Sequence, residues 1–227
     1  MPNLGKIDAF ARETLASDTT GHDYRHVKRV ADWAARFYQN DLGEMPADKA
    51  AILLAASLLH DTIDDKVVAD VPGQIQRVEK LLGQADFSPE AVAEIMDIIT
   101  HLSYSANLKE HYQLSAIGQY VQDADRIEAL GAIGIARAFA YGGAKGRALA
   151  DPDILPMTDV RDKQAYRKNN GPTVNHFYEK LFKLPALFNT PAGRQEADKR
   201  ALYMKNFLRT FNEETGLLTD PAFDLDL

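Results

Sequence analysis

From about Pro46, a residue suited to a first helical turn, apolar side chains recur at helical spacing through Ile52, Leu53, Ala56 and Leu59. The segment then runs without a break into His60-Asp61-Thr62-Ile63-Asp64-Asp65-Lys66. A helix that buries its apolar face carries its last residues into the interior, where a histidine and acids are costly unless paired or bound to a cation. Adjacent side chains diverge by about 100° around a helix axis, yet one ion seated at the helix end is within reach of both His60 and Asp61. Alternatively, His60 caps the helix and the acids form a solvated turn. This segment by itself leaves the two readings level.

The rest of the chain has the same period. Ile7, Phe10, Ala11 and Leu15 form one stripe, and Val27, Val30, Ala31, Ala34 and Phe37 another. Further helices are expected over Gln74 to Leu82, Pro89 to Thr100 behind the N-cap Ser88, Ala116 to Leu130, Ile133 to Tyr141, Val174 to Phe182, and roughly Gly193 to Glu214. No alternating run with hairpin turns stands out, so the fold class is all-α. With 45% hydrophobic residues in 227, the chain can build one large helical domain over residues 1–215, followed by an acidic tail over 216–227.

Two stretches depart from this pattern. Asp151 to Pro172 is proline-containing and aperiodic; it reads as a solvated loop, or as a segment whose Arg161, Lys163, Arg167 and Lys168 close over an anion. Tyr141-Gly142-Gly143-Ala144-Lys145-Gly146-Arg147 lacks the spacing and the Ser/Thr of a P-loop. It reads as a helix stop whose backbone N–H groups could still meet a phosphate.

Composition narrows the chemistry. There is no cysteine, which excludes disulfides, thiolate ligands and cysteine nucleophiles, so any metal must be held by nitrogen and oxygen. A formal net charge of -7 argues against nucleic acid as a partner. Met1 to Phe10 has no signal-peptide pattern, and the apolar run Ala50 to Leu59 is too short to span a bilayer. A cytoplasmic protein without a membrane partner is the expectation.

Two more segments carry candidate chemistry. In Gly21-His22-Asp23-Tyr24-Arg25-His26-Val27, the two histidines stand four apart on one helical face, and His26 borders the apolar stripe. A lone histidine there would be read as a core residue; the His60-Asp61 pair changes that. In Asp123-Ala124-Asp125-Arg126-Ile127-Glu128, acids interrupt an apolar segment. Asp123 and Asp125 point to nearly opposite sides of a helix, so only one can face an ion, and Glu128 shares the face of Asp125.

Together the three segments resemble the HD-domain superfamily of metal-dependent phosphohydrolases, whose pattern is a histidine, a His-Asp pair and a distant aspartate. His26-Val27-Lys28-Arg29-Val30-Ala31 fits the first histidine motif, Leu59-His60-Asp61 the pair, and the second acid of Asp123-Ala124-Asp125-Arg126 the last position. The likeness extends to a bacterial subgroup through Gly21 to Val30, Leu59 to Lys66, Asp123 to Arg137 and Phe177-Tyr178-Glu179-Lys180-Leu181. The chain departs from that subgroup's usual DADRLDA at Ile127-Glu128.

The resemblance implies a single-domain HD-type helical bundle with its metal site at the centre, a core over about 21–130 and C-terminal helices over about 131–215. It implies a divalent ion (Mn, Fe, Mg, Co or Ni) on His26, His60, Asp61 and Asp125. It further implies a water-directing acid at Asp64, with Asp65 as its alternate, and phosphate or substrate contacts from Lys66, Arg126, His22, His101, Glu128 and Lys180. His111 and His176 carry no motif argument. The substrate class implied is a nucleotide, with triphosphate cleaved to monophosphate and pyrophosphate. A 5′-monophosphatase, an alarmone hydrolase or a non-catalytic ligand-sensing module are the alternatives. A homodimer is compatible with the large helical surface.

Overall fold

The computed structural model describes residues 1–16, 21, 23–103, 112–157 and 170–217. These form two compact units, Met1–Asp125 and Arg126–Leu227. Among the described residues there is no strand, so the all-α expectation holds, and no helix is long and apolar enough to cross a membrane.

The first unit contains α1 (Leu4–Thr14), α2 (Tyr24–Leu42), α3 (Ala47–Leu59), a 3-10 turn over His60–Ile63, α4 (Val71–Gln84), α5 (Pro89–His101) and α6 (Ala116–Ile127), which carries the chain past Asp125. α3 is its centre and packs against α1, α2 and α5. Its buried residues (Ala51, Ile52, Leu53, Ala55, Ala56, Ser57, Leu58, Leu59) cover every side of the helix, as expected of a helix enclosed by neighbours. Full burial of Leu58 and Leu59 contributes roughly 1.5–3 kcal/mol each.

Helix starts follow side-chain chemistry. Asp23 caps α2 by accepting from the backbone N–H of His26 at 2.8 Å. Asp70 caps α4 through Gly73 N at 3.0 Å, and Ser88 caps α5 through Ala91 N at 3.3 Å. Pro46 occupies the position before α3 rather than its first turn.

The second unit contains α7 (Gly131–Ala144), the short α8 (Asn175–Glu179), 3-10 turns at Leu181–Lys183 and Pro185–Leu187, and the long α9 (Pro191–Thr215), which packs on α7. Two expected helices are shorter than their periodicity suggested. The segment toward Leu130 stops at Ile127, because Leu130 is extended (φ -118°, ψ 160°) and Gly131 takes φ +74°. The segment toward Phe182 stops at Glu179, where Lys180 leaves the helical region (φ -133°, ψ -56°).

The glycine-rich stretch is a helix stop, with Gly146 at φ +67°. The N–H groups of Lys145, Gly146 and Arg147 all donate to carbonyls of Tyr141, Gly142 and Gly143, so none is left for a phosphate. Arg161, Lys163, Arg167 and Lys168, His22, His111 and most of the 216–227 tail lie outside the described residues.

Candidate metal centre

Three helix ends in the first unit converge. α2 supplies His26 from its first turn, three residues past the capping Asp23, and its ring has no exposed surface. α3 delivers His60 and Asp61, both 6% exposed, into the 3-10 turn. α6 supplies Asp125 near its C-terminus.

Asp61 divides its oxygens between the imidazoles, with Oδ2 3.3 Å from His26 Nε2 and Oδ1 3.4 Å from His60 Nε2. Asp125 Oδ1 lies 3.3 Å from His26 Nε2 and 3.6 Å from His60 Nε2. Donor atoms of His26, His60 and Asp125 all fall within 4.8 Å of one another, while Asp61 stands outside that compact trio and spans the two rings.

The arrangement suits a cation. Adjacent ligands of an octahedral ion with bonds of about 2.1 Å stand roughly 3 Å apart, close to the separations here. His60 Nδ1 lies 2.8 Å from the carbonyl of Ser57, so Nδ1–H donates there and Nε2 is the nitrogen that carries the lone pair when the ring is neutral. That Nε2 is buried and makes no well-formed hydrogen bond. Electrostatics agree: burial alone would lower the His60 pKa, but Asp61 and Asp125 raise it to about 9. Burial would likewise raise Asp125, yet the two imidazoles beside it, His26 and His60, hold its carboxyl well below the usual range. An acid pair set against two imidazoles recruits positive charge, as a proton or as a metal ion.

The other candidates are placed as follows. Asp123 is fully buried, on a different side of α6 from Asp125. Asp64 follows the 3-10 turn; its Oδ1 accepts from Lys66 N at 2.9 Å, and its Oδ2 lies 3.7 Å from the half-exposed Lys66 ammonium. Asp65 is exposed. His101 closes α5, its ring stacked 3.8 Å from that of Tyr112 and its Nδ1 2.9 Å from the Asp97 carbonyl.

In the second unit, Arg126 is 5% exposed and donates to the Leu187 carbonyl. Glu128 is fully buried in the turn after α6, not on the helical face expected for it. Lys180 ends α8. His176, close to Lys180 and Arg147, has its pKa lowered to about 3, by burial first and by those two cations second.

Sequence reasoning missed two supporting roles. Asp23 is a helix cap whose bond lands on His26 itself. Ser57, a polar residue within the apolar run Ala50 to Leu59, offers the carbonyl that sets the His60 tautomer. A backbone acceptor has no sequence signal, whereas Asp at three residues before a candidate ligand is a capping pattern.

Known proteins share this architecture. The chain is 33% identical over 210 residues to the uncharacterized protein YpgQ of Bacillus subtilis, covering 92% of each. The structure of YpgQ in complex with ADP aligns with a TM-score of 0.72 at 30% identity, over 99% of this chain and 100% of that one. A Lactobacillus plantarum protein aligns with a TM-score of 0.80 at 38% identity, over 94% and 97% of the two chains. An HD-superfamily hydrolase from Bacillus thuringiensis aligns with a TM-score of 0.71 at 38% identity, over 94% and 96%. No family profile matches the chain. With those relatives, an all-helical fold and a His-His-Asp cluster where three helix ends meet, the chain belongs to the HD superfamily of metal-dependent phosphohydrolases.

Proposed function

We propose that the substrate is a nucleotide, and that the reaction cleaves a nucleoside triphosphate to the monophosphate and pyrophosphate. The observation that carries the reading is the convergence of His26, His60 and Asp125 donor atoms within 4.8 Å, with Asp61 bridging the two rings. The ADP complex of the similar YpgQ supports a nucleotide as the ligand class. His26, His60, Asp61 and Asp125 are the residues that would hold a divalent ion, and a thiolate-free N/O set suits Mn, Fe, Mg, Co or Ni. When bound, such an ion supplies Lewis acidity toward a phosphoryl oxygen and toward water.

Orientation and charge balance are the work of the chain's own residues. Asp64, fixed by the Lys66 backbone N–H and facing its ammonium, holds the attacking water and accepts its proton. The exposed Asp65 is its alternate. As the water oxygen bonds to the α-phosphorus, the bond to the α–β bridging oxygen breaks and pyrophosphate leaves with the electron pair. Lys66 and Arg126 offset charge on the phosphates, with Lys180 in the same role. His22 and His101 are assigned to substrate contact; Glu128, without exposed surface, would act on substrate through its neighbours.

The test is metal content by elemental analysis together with turnover of a nucleotide panel for His60→Ala and Asp125→Ala. Both variants are expected to lose metal and activity; full metal and full activity in both would remove the reading. Release of orthophosphate from monophosphates would identify a 5′-monophosphatase instead. A metal-free protein that nucleotides stabilise without turnover would belong to the ligand-sensing class.

A further inference from the structure

Within the first unit a cavity of about 310 Å³ lies between the end of α1 and the start of α4, lined by Phe10, Glu13, Thr14, Val68, Gln74 and Arg77. Gln74 is the residue that packing does not explain. It is 6% exposed and shares the buried face of α4 with Val78 and Leu82, at positions four and eight residues apart. An apolar side chain would serve packing better there. The backbone N–H of Gln74 is used by the helix, donating to Asp70 O at 3.0 Å. Among the described residues, nothing hydrogen-bonds its carboxamide, which faces the cavity. The amide oxygen and nitrogen reach solvent through the cavity, and a carboxamide offers two N–H donors and a two-lone-pair acceptor there.

We propose that this cavity is the nucleobase subsite of the nucleotide site and that Gln74 reads the edge of the base, an inference that rests on the nucleotide reading above. A carboxamide presents a donor and an acceptor side by side in one plane. That is the complement of a base edge carrying an adjacent acceptor and donor, the pairing by which Gln and Asn recognise bases elsewhere. Phe10 offers an aromatic ring for the face of the base, and the exposed Glu13 and Arg77 stand at the rim. Ligand cavities span roughly 300–1,000 Å³, so this one suits a base rather than a whole nucleotide.

The chain also ties the cavity to the metal centre. The N–H groups of Val67 and Val68 both donate to the Asp64 carbonyl, at 2.9 and 3.0 Å. One closed turn therefore carries Asp64 at one end and the cavity wall, Val68, at the other, about one helical pitch or ~5 Å along. α4 itself packs on the His60–Ile63 turn. A base held against Gln74 is thus on the same local scaffold as the acid assigned to the water.

The experiment titrates adenosine, guanosine, cytidine, uridine and thymidine calorimetrically into the wild-type protein and into Gln74→Leu and Phe10→Leu, and measures kcat and KM for the matching triphosphates. Wild type should bind one nucleoside at least about tenfold more tightly than the rest. Gln74→Leu should lose that preference and raise KM by about tenfold or more, with kcat and metal content unchanged; Phe10→Leu should weaken every nucleoside alike. Equal nucleoside binding by wild type and Gln74→Leu, or no nucleoside binding by wild type, would overturn the subsite. If triphosphates are hydrolysed while Gln74→Leu keeps its KM and base preference, the subsite fails and the nucleotide reading stands. If a nucleoside binds through Gln74 while no nucleotide is turned over, the converse holds.

Discussion

Metal binding at this centre should be coupled to release of the proton held on His60, and the structure sets the size of that effect. Asp61 and Asp125 overcome the burial of His60 and raise its pKa to about 9. Nδ1–H is committed to the Ser57 carbonyl, so the proton held near neutral pH occupies Nε2, the atom a metal ion would use. Asp125 is held well below the ordinary carboxylate range and contributes no proton of its own above pH 6. At pH 7, two units below the His60 value, only about 1% of the metal-free sites have the lone pair available, which weakens affinity about 100-fold, or ~2.7 kcal/mol. Each unit of pH toward 9 should recover about a factor of ten. Titration with Mn²⁺ in two buffers of different protonation enthalpy measures the proton count directly. At least one proton released per ion between pH 7 and 8, with one fewer in His60→Ala, is the expected result. Affinity that stays flat from pH 6.5 to 8.5 with no proton released would refute the assignment of His60 Nε2 as a ligand.

The same proton links pH to the stability of the metal-free protein. Because the folded pKa of His60 is raised above the unfolded value of 6.5, to about 9, its contribution is complete below pH 6.5 and is lost as pH rises through 9. Chelator-treated protein should therefore lose about 2 kcal/mol between pH 6 and pH 8 by denaturant unfolding, and His60→Ala should not show that slope. Asp64→Asn should lower turnover by about 100-fold or more while bound metal stays at the wild-type level; loss of the metal would make Asp64 a ligand. Gly134→Ala should destabilise by about 2 kcal/mol or more, because its Cβ would stand 2.2 Å from the Ala129 carbonyl oxygen, a backbone atom that cannot swing aside. A chemical-denaturation midpoint equal to that of wild type would refute that last point.

Elements that bury a continuous stripe were legible from spacing alone. α1, α2, α3, α5 and α9 lie within a few residues of their periodic segments, and Ser88 caps α5 as its residue type suggests. Legibility failed where backbone conformation rather than hydrophobicity decides. The apolar pattern through Ala129 and Leu130 continues past the real end of α6, because Leu130 is fully buried in the core while Gly131 turns the chain at positive φ. The position of Asp123 illustrates the same division. Helix geometry says that two acids two residues apart cannot share a face, but both are near the core, and only the packing of α6 against its neighbours decides which one meets the imidazoles. Gln74 carried no motif at all; it stands out only once the fold shows that an amide occupies the buried face of α4.

The two readings of His60, helix cap or metal ligand, turn out not to compete. The last turn of α3 leaves carbonyls without intrahelical donors, and Ser57 contributes one of them. The imidazole returns over that turn, and its Nδ1–H satisfies the Ser57 carbonyl at 2.8 Å. In doing so it fixes the tautomer and aims Nε2 at Asp61 and Asp125. The capping bond is thus the same bond that prepares the ligand. The switch to 3-10 geometry over His60–Ile63 then advances Asp61 by about 120° rather than 100°, where its two oxygens bridge His60 and a histidine from a different helix. A carboxylate here, at the junction of an apolar helix and a tight turn, is tolerated because it never faces the core alone. Replacing Ser57 would leave its carbonyl in place, so the arrangement depends on where α3 ends, a property of the backbone that the buried residues from Ala51 to Leu59 enforce together.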